Sequence, residues 1–390
     1  MPTVTIQLPM PAQEMAQEEI PKKIAHLSKQ ISNVRFLDNG AALAFDAPDD
    51  LAVALAPRVE DLAVTVQKSL RRLQRKIVYT SSRVSDPVFR GDGTAPGIHY
   101  LGTGQVALEG LPLQVFRYFD RVFMEMGRPW SAAPVLTPTL IPAGVLARCD
   151  YFRSFPHNVT FAAHLFEDAE RIDDFRARHQ ERNDLDERAL ADMETPEACL
   201  SPATCYHVYH MNEDKLLPAE GIVYGVCGKC FRYEASNLND LRRLWDFTMR
   251  EIVFLGGRDQ VLAERERGNE KMARFFEEHE LAGEIRTASD PFFIAPDASA
   301  KTYFQLSAET KYEMSLLLPG DQRLAVGSLN YHTDFFGRAF NVEIEGQGYM
   351  HSVCIAFGLE RWVYAFLAQH GNDPARWPQV MQSAPEFAGV

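Results

Sequence analysis

Four β-rich stretches, at residues 221–234, 250–256, 324–331 and 338–345, are separated and followed by helix-prone segments at 258–280, 308–316 and 355–370. This succession of strands and late helices predicts an α+β domain on a mostly antiparallel sheet, over residues 99–390. Upstream, Leu113–Met126 reads as an amphipathic helix stopping at Gly127, followed by an extended segment punctuated by Pro129, Pro134, Pro138 and Pro142. Residues 164–193 are highly charged and read as a solvated helical insertion, or as a partner-binding arm. Residues 1–82 read as a separate small α/β unit in the order β-α-β-β-α. Val4–Leu8 alternates like a strand, Glu18–Ile31 is helix-like, and Val34–Phe36 with Ala41–Phe45 forms a hairpin across Asp38-Asn39-Gly40. A long helix is expected from about Asp50 to Lys76. The stretch at 83–98, rich in Asp, Pro and Gly, reads as the linker.

Apolar residues make up 46% and charged residues 24% of the 390, the balance of a globular protein with a large core. No run of 18 apolar residues occurs, and the N-terminus lacks the basic start and apolar stretch of a signal peptide, so a cytoplasmic location is expected without membrane contact. The net charge of −13 argues against a long nucleic acid as main partner, because gripping phosphates calls for a surplus of Lys and Arg. The six cysteines, at 149, 199, 205, 227, 230 and 354, are expected to be reduced thiols, some of them metal-bound.

Two charged motifs could carry chemistry. Phe231-Arg232-Tyr233-Glu234 closes one strand, and Arg250-Glu251-Ile252-Val253 opens the returning one. Arg232 and Glu234, two apart on a strand, point to one face, where a guanidinium can meet a phosphate and a carboxylate an exocyclic amine. A salt-bridged surface strand would read the same way. Gly358-Leu359-Glu360-Arg361 opens a helix after the apolar run Val353–Phe357, which suits an anion site at a helix N-terminus, although glycine is common at any strand–helix junction. Cys227-Gly228-Lys229-Cys230 is half of a zinc knuckle with no second half, and two idle thiols are the simpler reading.

Taken in order, the proline-punctuated segment after a helix, then F-R-x-E, then G-L-E-R resemble motifs 1, 2 and 3 of class II aminoacyl-tRNA synthetases over residues 105–370. Gly327-Ser328-Leu329-Asn330-Tyr331-His332-Thr333-Asp334-Phe335 is similar to the segment preceding motif 3 in seryl-tRNA synthetases, with one extra residue between Asn330 and Asp334. The chain further resembles the amino acid:[carrier protein] ligase family, truncated homologues of the methanogen-type seryl-tRNA synthetases. That likeness rests on Ser201-Pro202-Ala203-Thr204-Cys205-Tyr206, Ala288-Ser289-Asp290-Pro291-Phe292-Phe293, Phe304-Gln305-Leu306-Ser307-Ala308-Glu309, and Leu329–His332 running on to Phe335-Phe336-Gly337.

The resemblance implies a class II sheet flanked by helices. It implies a ligase that makes an aminoacyl-adenylate from a small amino acid and ATP with Mg²⁺, then passes it to the phosphopantetheine thiol of a carrier protein. Glycine or alanine is favoured over serine. It implies a zinc ion on Cys205, Glu251 and Cys354, leaving one open position for the substrate's amine. Arg232 would hold the α-phosphate, Glu234 the adenine amino group and Arg361 the γ-phosphate, while Ser328 and Asn330 would line the amino-acid pocket. Glu309 and Lys311 are weaker candidates, and His332 and His351 are more simply hydrogen-bonded histidines. A homodimer through the motif 1 helix is expected. The basic helix end of Lys68, Arg71, Arg72, Arg75 and Lys76 could dock an acidic carrier, or merely complement the helix dipole. A seryl-type tRNA synthetase, a ligase with a small-molecule acceptor and a regulatory paralogue are the competing readings; the last usually loses motif residues that are present here.

Overall fold

The computed structural model describes residues 2–24, 27–28, 30–70, 75–181, 184–234, 238, 240–288, 308–320 and 322–388. An eight-stranded sheet runs in the order Ile77–Thr80, Gly283–Thr287, Lys311–Leu318, Gln322–Tyr331, His351–Gly358, Asp246–Gly256, Ile222–Phe231, Ala133–Leu136. Neighbours are antiparallel except at the last pair, where Ala133–Leu136 runs parallel to Ile222–Phe231. The α+β expectation therefore holds.

Successive side chains on a strand point to opposite faces, and the two faces here meet different company. Ile252, Phe254, Ile355 and Phe357 join the core against the helices Gly110–Met126, Arg258–Glu278 and Leu359–His370, among Phe119, Phe123, Phe276 and Trp362. Phe123 stacks on Phe357 with ring centroids 3.9 Å apart. Their alternates Val253, Leu255, Cys354 and Ala356 belong to a second cluster with Val208 and Tyr209 of the helix Cys205–Met211, and with Phe336. The alternation thus carries Glu251 and Cys354 to the second face, while Arg250 turns to the first and pairs with Asp120 of the helix Gly110–Met126.

Phe336 rides on the short helix Phe335–Ala339, seated by Gly337. A Cβ at Gly337 would lie 2.2 Å from Met350 O and 2.8 Å from Met350 N, and backbone atoms cannot swing aside. Gly337→Ala is expected to lower stability by about 1–3 kcal/mol, the usual cost of overpacking. The reading is a lower urea midpoint at unchanged slope.

Three expected elements are corrected. Residues 308–316 are not a helix: Lys311–Leu318 is a strand, paired on both sides by Gly283–Thr287 and Gln322–Tyr331, and those pairings outweigh the helix propensity of its Glu, Met and Leu. The stretch 338–345 is mostly not a strand. It starts within the helix Phe335–Ala339, where Asp334 and Arg338 form an i,i+4 ion pair, and only Glu343–Ile344 is extended. The helix expected from 355 begins at Leu359, because His351–Gly358 is a central strand of the sheet.

The N-terminal unit has its own three-stranded sheet, Thr3–Gln7, Ala42–Asp46 and Ser32–Leu37, with Ala42–Asp46 in the middle. Helices Glu14–Ile24 and Asp49–Leu70 close a separate core around Ile20, Phe45 and Val59. Ile77–Thr80 already belongs to the large sheet, so the expected long helix ends earlier than Lys76 and the unit earlier than residue 82. The stretch expected as a linker docks on the C-terminal helix, with Arg90 N and Gly91 N donating to Gln369 O and Ala368 O. The charged insertion holds the helix Ala169–Arg178, in which Arg178 pairs with Asp174, Asp186 and Asp192. Arg71, Arg72 and residues 289–307, which hold most of the motif stretches at 288–293 and 304–309, lie outside the described residues. No helix among the described residues is long and apolar enough to cross a membrane.

Candidate active site

The strand registers assemble the polar face. Cys354 lies opposite Asn330 on one side and Val253 on the other, and Glu251, two residues before Val253, lies opposite Ala356. Glu251 and Cys354 thus share a face as diagonal neighbours, and the helix Cys205–Met211 brings Cys205 down onto them. One ligand atom from each of Cys205, Glu251 and Cys354 lies within 4.8 Å of the others. All three are buried, at 5%, 1% and 2% exposure. This is the single such cluster of His, Cys, Asp and Glu found among the described residues.

Thr204 anchors the carboxylate: its N and Oγ1 donate to Glu251 Oε1 at 3.2 and 2.7 Å. Glu251 Oε2, equally buried, has no hydrogen-bond partner among the described residues. Asn330 Nδ2 donates to Ser328 Oγ at 2.9 Å and approaches Cys354 Sγ at 3.7 Å. The hydrogen bond to Cys354, burial and the Glu251 carboxylate together hold the Cys205 thiol well above its usual range. An orphaned carboxylate oxygen beside two buried thiols is costly unless a cation answers it. Two thiolates, one carboxylate and an open fourth position suit zinc, so the residues fit the ion that the resemblance implies.

The other half of the site is cationic. Arg232 donates from Nε to Pro202 O at 2.9 Å, rests against Met249 Sδ at 3.6 Å and lies over the Phe247 ring. Arg361 is clamped by two backbone carbonyls, Arg242 O at 2.7 Å and Ala325 O at 3.1 Å. Glu234 pairs with Arg243 at 2.9 Å. Burial pushes its carboxyl up, but Arg361, Arg243 and Arg232 outweigh burial and hold it below the usual range.

A cavity of about 130 Å³ is lined by Arg232, Glu234, Glu360 and Arg361, and one of about 230 Å³ by Cys205, Glu251, Asn330 and Cys354. Both are also lined by Arg232, Glu234, Met249, Lys311, Ser328 and Ala356, so they are two ends of one cleft. Arg232, Glu234, Arg361, Ser328, Asn330, Cys205, Glu251 and Cys354 all line it. Lys311 lines both ends; Glu309 stands apart, accepting from Lys76 and Tyr312.

His332 lines the larger end, with Nδ1 near Tyr209 Oη and Ser352 Oγ, while His351 meets the Tyr331 hydroxyl at 2.8 Å. Cys227 and Cys230 sit three apart on a strand and so face opposite ways, which prevents joint chelation; Cys227 approaches Asp120 and Cys230 is buried. Cys149 and Cys199 are buried thiols. Of the basic helix end, Lys68 is exposed, Arg75 pairs with Glu19 and Lys76 with Glu309.

Sequence reasoning missed Thr204, which stood next to Cys205 in a quoted motif, and Glu360, which is buried and accepts from Thr248 N and Oγ1. It also missed Tyr151 and Asn158, which belong to none of the motifs.

The family profile described as the class II tRNA synthetase core domain (G, H, P, S and T) matches residues 189–370. An amino acid–[acyl-carrier-protein] ligase of Bradyrhizobium diazoefficiens is 33% identical over 244 residues, 62% of this chain and 71% of that protein. The type-2 serine–tRNA ligase of Methanopyrus kandleri is 28% identical over 287 residues, 70% of this chain; the match spans 54%, about half, of the ligase's own length. Among solved structures, M. kandleri seryl-tRNA synthetase in complex with an Aquifex aeolicus tRNASec is similar in fold, with a TM-score of 0.71 at 24% identity over 97% of this chain and 76% of that one.

Proposed function

The chain belongs to the amino acid:[carrier protein] ligase family, homologues of the methanogen-type seryl-tRNA ligases, and from that premise we propose that it activates a small amino acid as its adenylate and transfers it to a carrier-protein thiol. The observation that carries the reading is the single cleft, with the Cys205–Glu251–Cys354 cluster at one end and Arg232, Glu234 and Arg361 at the other. Zinc bound by that cluster would take the neutral amine of the amino acid as its fourth ligand.

Arg232 then neutralises the α-phosphate at which the amino acid's carboxylate attacks, and Arg361 holds the γ-phosphate of Mg²⁺-ATP. Glu234, kept ionised by three arginines, accepts from the adenine amino group. Ser328 and Asn330 border the amino acid. A carboxylate is already a nucleophile, so positioning and charge stabilisation carry the step and no general base is needed. Thr204→Val, which keeps the shape and removes the 2.7 Å hydrogen bond to Glu251, is expected to weaken zinc affinity about 10–100-fold. Competition against a chelator measures it.

Glycine or alanine is the favoured substrate, and a homodimer through the helix Gly110–Met126 the favoured assembly, supported by Met124 on that helix and Leu136 on the nearby edge strand, exposed at 45% and 91%. The seryl-tRNA ligase relatives keep tRNA in view as a rival acceptor. The experiment offers the enzyme, ATP and radiolabelled amino acid to holo-carrier protein, apo-carrier protein and total tRNA in parallel. Label bound as a hydroxylamine-sensitive thioester to the holo form alone is expected; label on tRNA alone would overturn the carrier reading.

A further inference from the structure

We propose that Tyr151 and Asn158 form a subsite for an amide, the one nearest the thiol of the acceptor's pantetheine arm; this rests on the carrier-protein reading above. Tyr151 starts the short helix Tyr151–Ser154, and Asn158 ends the turn Pro156–Asn158 that follows. They are 4% and 8% exposed, and both line the larger end of the cleft. Their side chains interact with each other, yet among the described residues Tyr151 Oη and Asn158 Oδ1 are buried with no partner at hydrogen-bond distance and angle. A buried polar atom in that state is costly, and a chain that keeps two side by side has a use for them.

The segment is fixed in place, so the atoms cannot simply turn away. The Tyr151 ring lies 5.3 Å from Phe155 and 6.0 Å from Tyr206. Ser154 Oγ ties back to Asp150 at 2.9 Å, and Asn158 O accepts from Tyr233 N in the F-R-x-E motif. Burial pushes the Tyr151 hydroxyl up to about 12, against the pull of the nearby Arg232 guanidinium and Asn158, so it keeps its proton and donates. Asn158 Oδ1 accepts. One donor and one acceptor are the complement of an amide C=O and N–H.

The other reactants do not supply that group. ATP is served by the smaller end of the cleft, which neither residue lines. The amine belongs to the Cys205–Glu251–Cys354 cluster, and glycine or alanine has no polar side chain. A pantetheine arm carries an amide two carbons from its thiol. Held beside Arg232, that amide delivers sulfur to the adenylate carbonyl. The sulfur lone pair forms the C–S bond, the C–O bond to phosphate breaks, AMP leaves with its electron pair, and the thiol proton passes to water.

The test measures aminoacyl transfer to two free thiols, N-acetylcysteamine, which keeps the amide, and 2-mercaptoethanol, which lacks it, together with ATP–pyrophosphate exchange and the melting temperature. The wild type should prefer N-acetylcysteamine at least tenfold in kcat/KM. Tyr151→Phe and Asn158→Ala should each erase most of that preference. Tyr151→Phe should also leave the melting temperature unchanged or raise it, since it deletes an unanswered buried hydroxyl; a structural hydroxyl would lower it. A preference that is absent in the wild type, or unaltered in both variants, overturns the subsite. So does a loss of exchange equal to the loss of transfer, which would place the two residues on the amino acid or adenylate. Absence of exchange in the wild type overturns the adenylation reading itself, and the subsite with it.

Discussion

Cys205→Ala is expected to take bound zinc from one ion per subunit to nearly none, and to lower amino-acid-dependent ATP–pyrophosphate exchange more than about 100-fold. The magnitude follows from comparison: losing an outer partner of a metal ligand costs roughly 10–100-fold, and losing a ligand costs more. Cys205 is at the start of the helix Cys205–Met211 with Glu251 and Cys354 beside it, so its removal leaves a carboxylate and one thiol, too few to hold the ion tightly. The fold should survive, because the sheet registers that bring Glu251 and Cys354 together do not involve Cys205. Unchanged far-ultraviolet circular dichroism would establish that. A ligand that binds the native state alone stabilises it by mass action, so a chelator should lower the melting temperature of the wild type and not of the variant. Full zinc content in Cys205→Ala would remove this residue from the metal site.

Arg232→Ala is expected to lower kcat/KM for adenylation by about 10²–10³-fold, the usual loss when a charge stabiliser of a transition state is removed. Zinc content should stay at one per subunit, which separates this effect from that of Cys205. Arg232 is held by Pro202 O and Met249 Sδ, so among the described residues its charge is not already spent on a carboxylate within 4 Å. Arg232→Lys keeps the charge and loses the planar fork, and should fall between the two. If Arg232→Ala exchanged pyrophosphate within threefold of the wild type, the α-phosphate role would be refuted.

Much of the frame was legible in the sequence because it is written in local pattern. The alternation of Val253, Phe254 and Leu255, and of Val353 to Phe357, announces strands covered on both faces. The run Lys311–Leu318 misled because Glu, Met and Leu are good helix formers, and only pairing with strands distant in sequence makes them extended. The convergence of Cys205, Glu251 and Cys354 came to the sequence reading through a family likeness, not through spacing. No local periodicity links a helix start to two strands, and the geometry that joins them is a register. Thr204 and Glu360 were passed over because a hydrogen bond between a side chain and a remote carboxylate or backbone N–H has no sequence signature. Tyr151 and Asn158 were hidden for a related reason: a buried polar atom without a partner can be recognised only once the partners are counted.

The central claim, that this cleft makes an aminoacyl-adenylate, is tested most directly by amino-acid-dependent ATP–pyrophosphate exchange on zinc-loaded protein across the twenty amino acids. Strong exchange with glycine or alanine, absent from Cys205→Ala, is the predicted result. No exchange above background with any of the twenty would contradict it.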